Sequence, residues 1–159
     1  AAKYFQDILL HDVDGTMTDG KIYIGNSGEA FKSFDVKDGY GIHCILPCKQ
    51  IIPVVLTGRK SDIVENRCKE LEIPYVIQGS KNKVDDLEKL LHILKLEWKN
   101  VACMGDDLND LDIIKKAEWS ACPNDAVKPV KEVCNFVASR NGGGGAVREA
   151  IEALLEYTN

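Results

Sequence analysis

Short apolar runs alternate along this chain with segments in which apolar positions recur every three or four residues. The runs predict buried strands: Asp7 to Leu10 leading into Asp12, the β-branched run Ile51 to Leu56, and the shorter stretches Tyr75 to Ile77, Val101 to Met104, Trp119 to Ala121 and Asn135 to Val137. Between them, Ser61 is placed to cap a helix running to about Leu71, and the segment from Val84 sets Leu87, Leu90, Leu91 and Leu94 on one face. From Ala146 to Tyr157, a stripe of Val147, Ile151, Leu154 and Leu155 predicts a last helix. Such alternation predicts an α/β fold, a Rossmann-like parallel sheet with helices on both faces.

One segment departs from the alternation. Lys21 to Phe34, with Gly25, Asn26, Ser27 and Gly28 at its centre, reads as two short strands around a tight turn, a small β-hairpin flap after strand 1. It is suited to covering a site or touching another subunit. The four glycines at 142–145 are expected to act as flexible punctuation before the last helix. Residues 1–159 are expected to form a single domain, because two separate cores would each be marginal at this length.

Charge narrows the partners. A formal net charge of −5 argues against nucleic-acid binding, which needs clustered Lys and Arg. No apolar run approaches the roughly 20 residues that span a bilayer. No charged stretch followed by an apolar one opens the sequence, so no membrane partner and a cytoplasmic location are expected. Six cysteines lie scattered in apolar surroundings without a CxxC pair, as buried reduced thiols do.

The candidate chemistry is acidic. In LLHDVDGTMTDG, Asp12 and Asp14 stand two residues apart where a strand stops, so both carboxylates would approach one point if extended geometry persisted to Asp14. A second cluster, GDDLND, follows the strand-like VACM and supplies Asp106, Asp107 and Asp110. Five converging carboxylates would repel one another, and a hard divalent cation such as Mg²⁺ relieves that repulsion. Either cluster alone is equally well a solvated turn. Between them come Thr57 after a strand and Lys83 before a helix, a hydroxyl and a cation of the kind that phosphate handling requires.

DVDGT, Thr57 in LTGR, Lys83 in KNKVDDL and GDDLND resemble, in order, the four motifs of the haloacid dehalogenase superfamily. The resemblance implies that Asp12 is a nucleophile phosphorylated in transit and that Asp14 is the acid and then the base. It implies that Thr57 and Lys83 bind the phosphoryl group, that Asp12, the Asp14 carbonyl and Asp106 hold Mg²⁺, and that Asp107 and Asp110 support them. Within the superfamily, DVDGTMTDG, GKIY…FKSFDVKDGYGI, LTGRKSDIVENRC, QGSKNK, GDDLND and GGGGAVRE are similar to the phosphatases of 3-deoxy-D-manno-octulosonate 8-phosphate. That likeness covers nearly the whole chain and implies a sugar-acid phosphate substrate. It also implies no large cap domain, and a homotetramer in which hairpins associate and a neighbouring subunit helps to close each site.

The same likeness implies substrate contacts at Gly58, Arg59 and the C-terminal segment. The Arg59 guanidinium suits a sugar-acid carboxylate, and favours the eight-carbon acid over nine-carbon relatives; the competing reading is a solvated arginine at a helix start. Arg140 and Arg148 flank glycines whose N–H groups would admit an anion, or which merely end a loop. The absence of a GK[ST] ending argues against a nucleotide P-loop.

His11, His43 and His92 lack a partner at metal-ligand spacing and read as structural, although His11 is unusual beside a nucleophile. A phosphorylated receiver domain would place its acidic pair first, the reverse of the order here. A non-catalytic oligomerisation module, like the C-terminal domain of vertebrate CMP-sialic acid synthetases, would not need the intact Asp12, Asp14, Thr57, Lys83 and Asp106 set. A phosphomutase would need a cap.

Overall fold

The computed structural model describes residues 7–158. Six parallel strands form one sheet: β1 (Asp7–His11), β4 (Ile51–Leu56), β5 (Tyr75–Ile77), β6 (Val101–Met104), β7 (Trp119–Cys122) and β8 (Phe136–Val137). Their order is β5-β4-β1-β6-β7-β8. β1 is central, pairing Leu9 with Pro53 of β4 and with Ala102 of β6. The chain builds outward from β1 to β4 and β5, then crosses back to β6. A crevice at the carboxyl ends of β1 and β6 is thereby created at the point where strand order reverses.

Successive side chains of each strand serve opposite faces. Leu9, Ile51, Val55, Ala102 and Met104 pack with Ile42 and Leu46, with Val64 and Cys68 of α3 (Asp62–Glu70), and with Val147, Ala150, Ile151 and Leu154 of α7 (Ala146–Thr158). Their neighbours Ile8, Leu10, Val54, Leu56, Val101 and Cys103 face the other way. They meet Leu87, Leu90 and Leu91 of α4 (Lys83–Leu94), Ile113 and Ile114 of α5 (Leu111–Lys116), and Val130 of α6 (Lys128–Val133). Each fully buried aliphatic side chain contributes about 1.5–3 kcal/mol. This covering of both faces is the predicted fold.

The stretch 36–48, for which the sequence pattern carried no expectation, is helical: α1 (Val36–Tyr40), a wider turn Gly41–Ile45 and α2 (Leu46–Cys48). The Asp35 carboxylate accepts from the Lys37 and Asp38 N–H groups and starts it. Ser61 does begin α3, but its side chain makes no cap and instead donates to Glu29 Oε1 at 2.6 Å. Asn135 lies outside β8 because its side-chain oxygen accepts the Ser120 N–H and hydroxyl.

The hairpin is formed as expected by β2 (Tyr23–Gly25) and β3 (Gly28–Phe31), with the Tyr23 and Phe31 rings stacked. All six cysteines are free, and Cys48 is exposed, against the expectation of burial. Among the described residues, no helix is long and apolar enough to cross a membrane.

Candidate active site

Pairing of β1 with β6 continues one residue past the strand, where the Asp12 N–H donates to the Met104 carbonyl. Asp12 is thus fixed, with its side chain turned into the protein. Extended geometry then stops. The chain turns through Val13–Met17, with Asp14 at ψ 117° and Gly15 at φ 90°. The Thr18 hydroxyl oxygen holds the turn by accepting the Gly15 and Gly20 N–H groups. Only glycine fits at position 15, since a Cβ there would lie 1.8 Å from Asp106 Oδ2.

The turn separates the two carboxylates that the spacing alone would bring to one point. Asp14 faces the hairpin, where Lys32 Nζ lies 2.7 Å from its Oδ1. Asp12 instead meets the second acidic cluster, and carboxylate oxygens of Asp12, Asp106 and Asp110 lie within 4.8 Å of one another. Asp107 is exposed and caps a short helical turn, accepting the Leu108 N–H. Three carboxylates converge, not five.

Asp110 organises that group. Its Oδ2 accepts the Asp106 and Asp107 N–H groups, and its Oδ1 receives Lys83 Nζ at 2.8 Å. Lys83 opens α4, whose Asn82 side chain accepts the Asp85 N–H, and its Nζ also reaches Asp12 Oδ1 at 3.2 Å. Burial opposes the Lys83 charge, but Asp12 and Asp110 outweigh it and hold the ammonium above its ordinary value.

The carboxylates pay the opposite way. Burial, then repulsion from Asp110, lifts Asp12 to about 6 despite Lys83. Burial and the charge of Asp12 raise Asp106 to about 8. Asp106 Oδ1 is buried with no hydrogen-bond partner among the described residues. A buried, all-oxygen, mutually repelling set with an unpartnered oxygen suits a hard divalent cation. Asp12 and Asp106 are the available ligands, because both oxygens of Asp110 are engaged.

Thr57 follows β4 and is buried beside β1, its N–H given to the Ile77 carbonyl and its own carbonyl taking the Ser80 N–H. Gly58 and Arg59 are exposed next to it, and Arg59 reaches Glu29 of the hairpin at 3.6 Å. Arg140 is exposed, its backbone clamped between Asn124 and Glu149. Arg148 is occupied by Glu152, the Lys37 carbonyl and the face of Tyr40.

The glycine segment is not a loose stop. Its Gly142 N–H donates to Asp125 Oδ1 and its Gly143 N–H to the Thr16 carbonyl. A Cβ at Gly142 would lie 2.0 Å from the Gly15 carbonyl oxygen, so this segment is pressed on the turn after Asp12. The Arg148 N–H at the start of α7 is taken by the buried Asp38 carboxylate. These N–H groups are met by the protein's own acceptors.

His11 is fully buried, and burial lowers it to about 4, leaving it neutral beside Asp12. Sequence reasoning carried no expectation for Lys32 and Glu29; the contacts of Lys32 with Asp14 and of Glu29 with Arg59 depend on how the hairpin folds back.

A profile of the haloacid dehalogenase-like hydrolases matches residues 71–151. The 3-deoxy-D-manno-octulosonate 8-phosphate phosphatase KdsC of Escherichia coli K12 is 43% identical over 148 residues, covering 93% of this chain and 78% of that protein. The crystal structure of the Yersinia pestis phosphatase of the same name superposes with a TM-score of 0.90 at 38% identity, over 94% of this chain and 80% of that one. A Moraxella catarrhalis phosphatase of that name, in complex with magnesium ion, phosphate ion and KDO, superposes with a TM-score of 0.89 at 35% identity, over 94% and 86%.

Proposed function

Because the chain belongs to the haloacid dehalogenase-like hydrolases, we propose that it is a magnesium-dependent phosphatase releasing phosphate from 3-deoxy-D-manno-octulosonate 8-phosphate. The carrying observation is the meeting of Asp12, Asp106, Asp110 and Lys83 at the end of β1, in a protein similar over most of its length to phosphatases of that sugar acid. Residues 1–159 act as one catalytic domain, supported by two cores that share a single sheet.

The Asp12 carboxylate attacks phosphorus in line with the departing alcohol, forming an aspartyl-phosphate. Asp14 gives its proton to the leaving oxygen and then takes one from the water that hydrolyses the intermediate. Lys83 and the Thr57 hydroxyl hold the phosphoryl oxygens, and Lys83 is kept charged for this by Asp12 and Asp110. Asp12, the Asp14 carbonyl and Asp106 would hold magnesium, with Asp107 and Asp110 fixing the loop behind them. When bound, magnesium supplies positive charge against the carboxylates and the phosphoryl group.

Gly58 and Arg59 lie beside the phosphoryl site and suit the sugar-acid carboxylate, which favours the eight-carbon substrate. The three contacts of Arg148 favour a role in holding α7, and Arg140 is left as the C-terminal substrate contact. The oligomerisation-module reading has no support in a site whose catalytic set is intact. Exposed Ile22, Ile24, Phe31, Val36 and Tyr40 on and beside the hairpin support a homotetramer joined there. Six free cysteines support a cytoplasmic location.

The test is phosphate release with and without Mg²⁺ from the eight-carbon substrate and a nine-carbon sugar-acid phosphate, in wild type and Asp12→Asn. Expected is metal-dependent release favouring the eight-carbon acid and falling by at least about 10⁴-fold in Asp12→Asn, the scale on which removing a nucleophile acts. No release from either acid in wild type would sink the proposal.

A further inference from the structure

We infer that Lys32, on the hairpin, is a positioning residue for Asp14, so that the flap takes part in proton transfer within its own subunit. The inference rests on the phosphatase reading above, because it concerns the group that hands a proton to the departing alcohol.

Lys32 directly follows β3, on a hairpin that leaves Ile24 and Phe31 open to solvent. Its own side chain is nonetheless only 3% exposed. A buried ammonium is costly unless paired, and Lys32 has two partners: Asp14 Oδ1 at 2.7 Å and Glu29 Oε2 at 3.1 Å. Glu29 is itself anchored, by the Ser61 hydroxyl on Oε1 at 2.6 Å and by Arg59 at 3.6 Å. The Ser61 N–H in turn donates to Gln78 Oε1 at 2.9 Å. A line of contacts therefore runs from the start of α3 through Glu29 and Lys32 to Asp14.

Asp14 needs such a support. It sits where the chain leaves extended geometry, ahead of a glycine at positive φ, and among the described residues no other side chain bonds its carboxylate. Lys32 holds Oδ1 and leaves Oδ2 free. In the first half-reaction an Asp12 oxygen bonds to phosphorus, the bond from phosphorus to the sugar oxygen breaks, and that oxygen takes the Asp14 proton. In the second, water attacks the aspartyl-phosphate, its proton goes to Asp14, and phosphate leaves with the Asp12 carboxylate restored. A sugar alkoxide is a poor leaving group and depends on this proton; an aryl oxide depends on it far less.

The experiment compares kcat and KM for 3-deoxy-D-manno-octulosonate 8-phosphate and p-nitrophenyl phosphate, with Mg²⁺, in wild type, Lys32→Met and Lys32→Arg, with a thermal melt of each. Lys32→Met is expected to lower kcat roughly 100-fold on the sugar phosphate and less than about 5-fold on the aryl phosphate, with KM nearly unchanged, and Lys32→Arg to recover most of that split. Equal losses on both substrates in a folded variant, or no loss on either, overturn the inference. Should Lys32→Met fail to fold, Glu29→Gln is expected to show the same split at smaller size, and an unsplit response there overturns it equally. Wild type inactive on the sugar acid would fault the substrate reading alone; the split is then read between an alkyl and an aryl phosphate.

Discussion

The two edges of the sheet differ in a way that cavity size misrepresents. At the amino edge, between the ends of α2, α3 and α4, lies a groove of about 730 Å³ lined by residues such as Pro47, Ile52, Leu71, Pro74 and Leu96. At the carboxyl edge, the crevice shared by Leu10, Asp12, Lys83, Cys103 and Asp110 encloses about 10 Å³. Most residues lining the large groove are apolar; Glu72 and Lys95 belong to two separate helix ends, and the His43 ring is bonded to the Leu71 carbonyl. The small crevice joins buried carboxylates to an ammonium. Charge buried against its electrostatic preference marks a functional site more reliably than room does, because folding alone gives no reason to assemble it.

The largest break in that contrast should come from Asp110→Asn. It removes a negative partner of Lys83 while keeping an oxygen for the Asp106 and Asp107 N–H groups. Expected is a fall of roughly 100-fold in kcat for the sugar phosphate, about 2.7 kcal/mol, measured by steady-state phosphate release. Activity within a few-fold of wild type would show that the Lys83 geometry does not depend on Asp110.

Metal and pH sharpen the contrast next. Since Asp12 is raised to about 6 and Asp106 to about 8, the folded chain without metal binds protons that the unfolded chain releases near pH 4. The stability gained is full below about pH 4 and is lost as pH rises through about 6 and then about 8. Thermal scans of metal-free protein should therefore give a lower midpoint at pH 8 than at pH 5. Mg²⁺ should raise the midpoint more at pH 8, where it does not compete with protons. An equal rise at both would detach the ion from these carboxylates.

At the amino edge the expected effect is small and confined to stability. Lys95 ends α4 at φ 57°, a left-handed conformation that costs any side chain, and it is exposed. Lys95→Gly should stabilise by on the order of 0.5 kcal/mol in denaturant titration and leave kcat unchanged. A change in kcat would give the groove a part in the chemistry.

Much of this was legible beforehand. The six strands, the hairpin and the three longest helices follow from periodicity, because burial on two faces leaves apolar runs that few loops imitate. Asp12, Asp106, Thr57 and Lys83 were legible because each stands at the end of such a run or the start of a helix. Asp14 was misplaced as geometry, since the turn that opens at Val13 breaks the extended backbone between the two carboxylates and Asp14 meets Lys32 instead. Helix 36–48 was hidden by Gly39 and Gly41, whose close packing on Arg67 and Ile151 is a tertiary matter. The glycines at 142–145 read as slack for the same reason: their role is to let one backbone lie on another.

The sequence by itself determined the alternation of strand and helix, the face each strand residue serves and the order of the chemical groups, because these depend on local periodicity and on neighbours a few positions away. Only the tertiary structure decided which charges meet. Lys83 is 71 positions from Asp12 and 27 from Asp110, and Lys32 is 18 from Asp14. Contacts at such separations are set by strand order and by how each loop closes, and no local pattern carries that information.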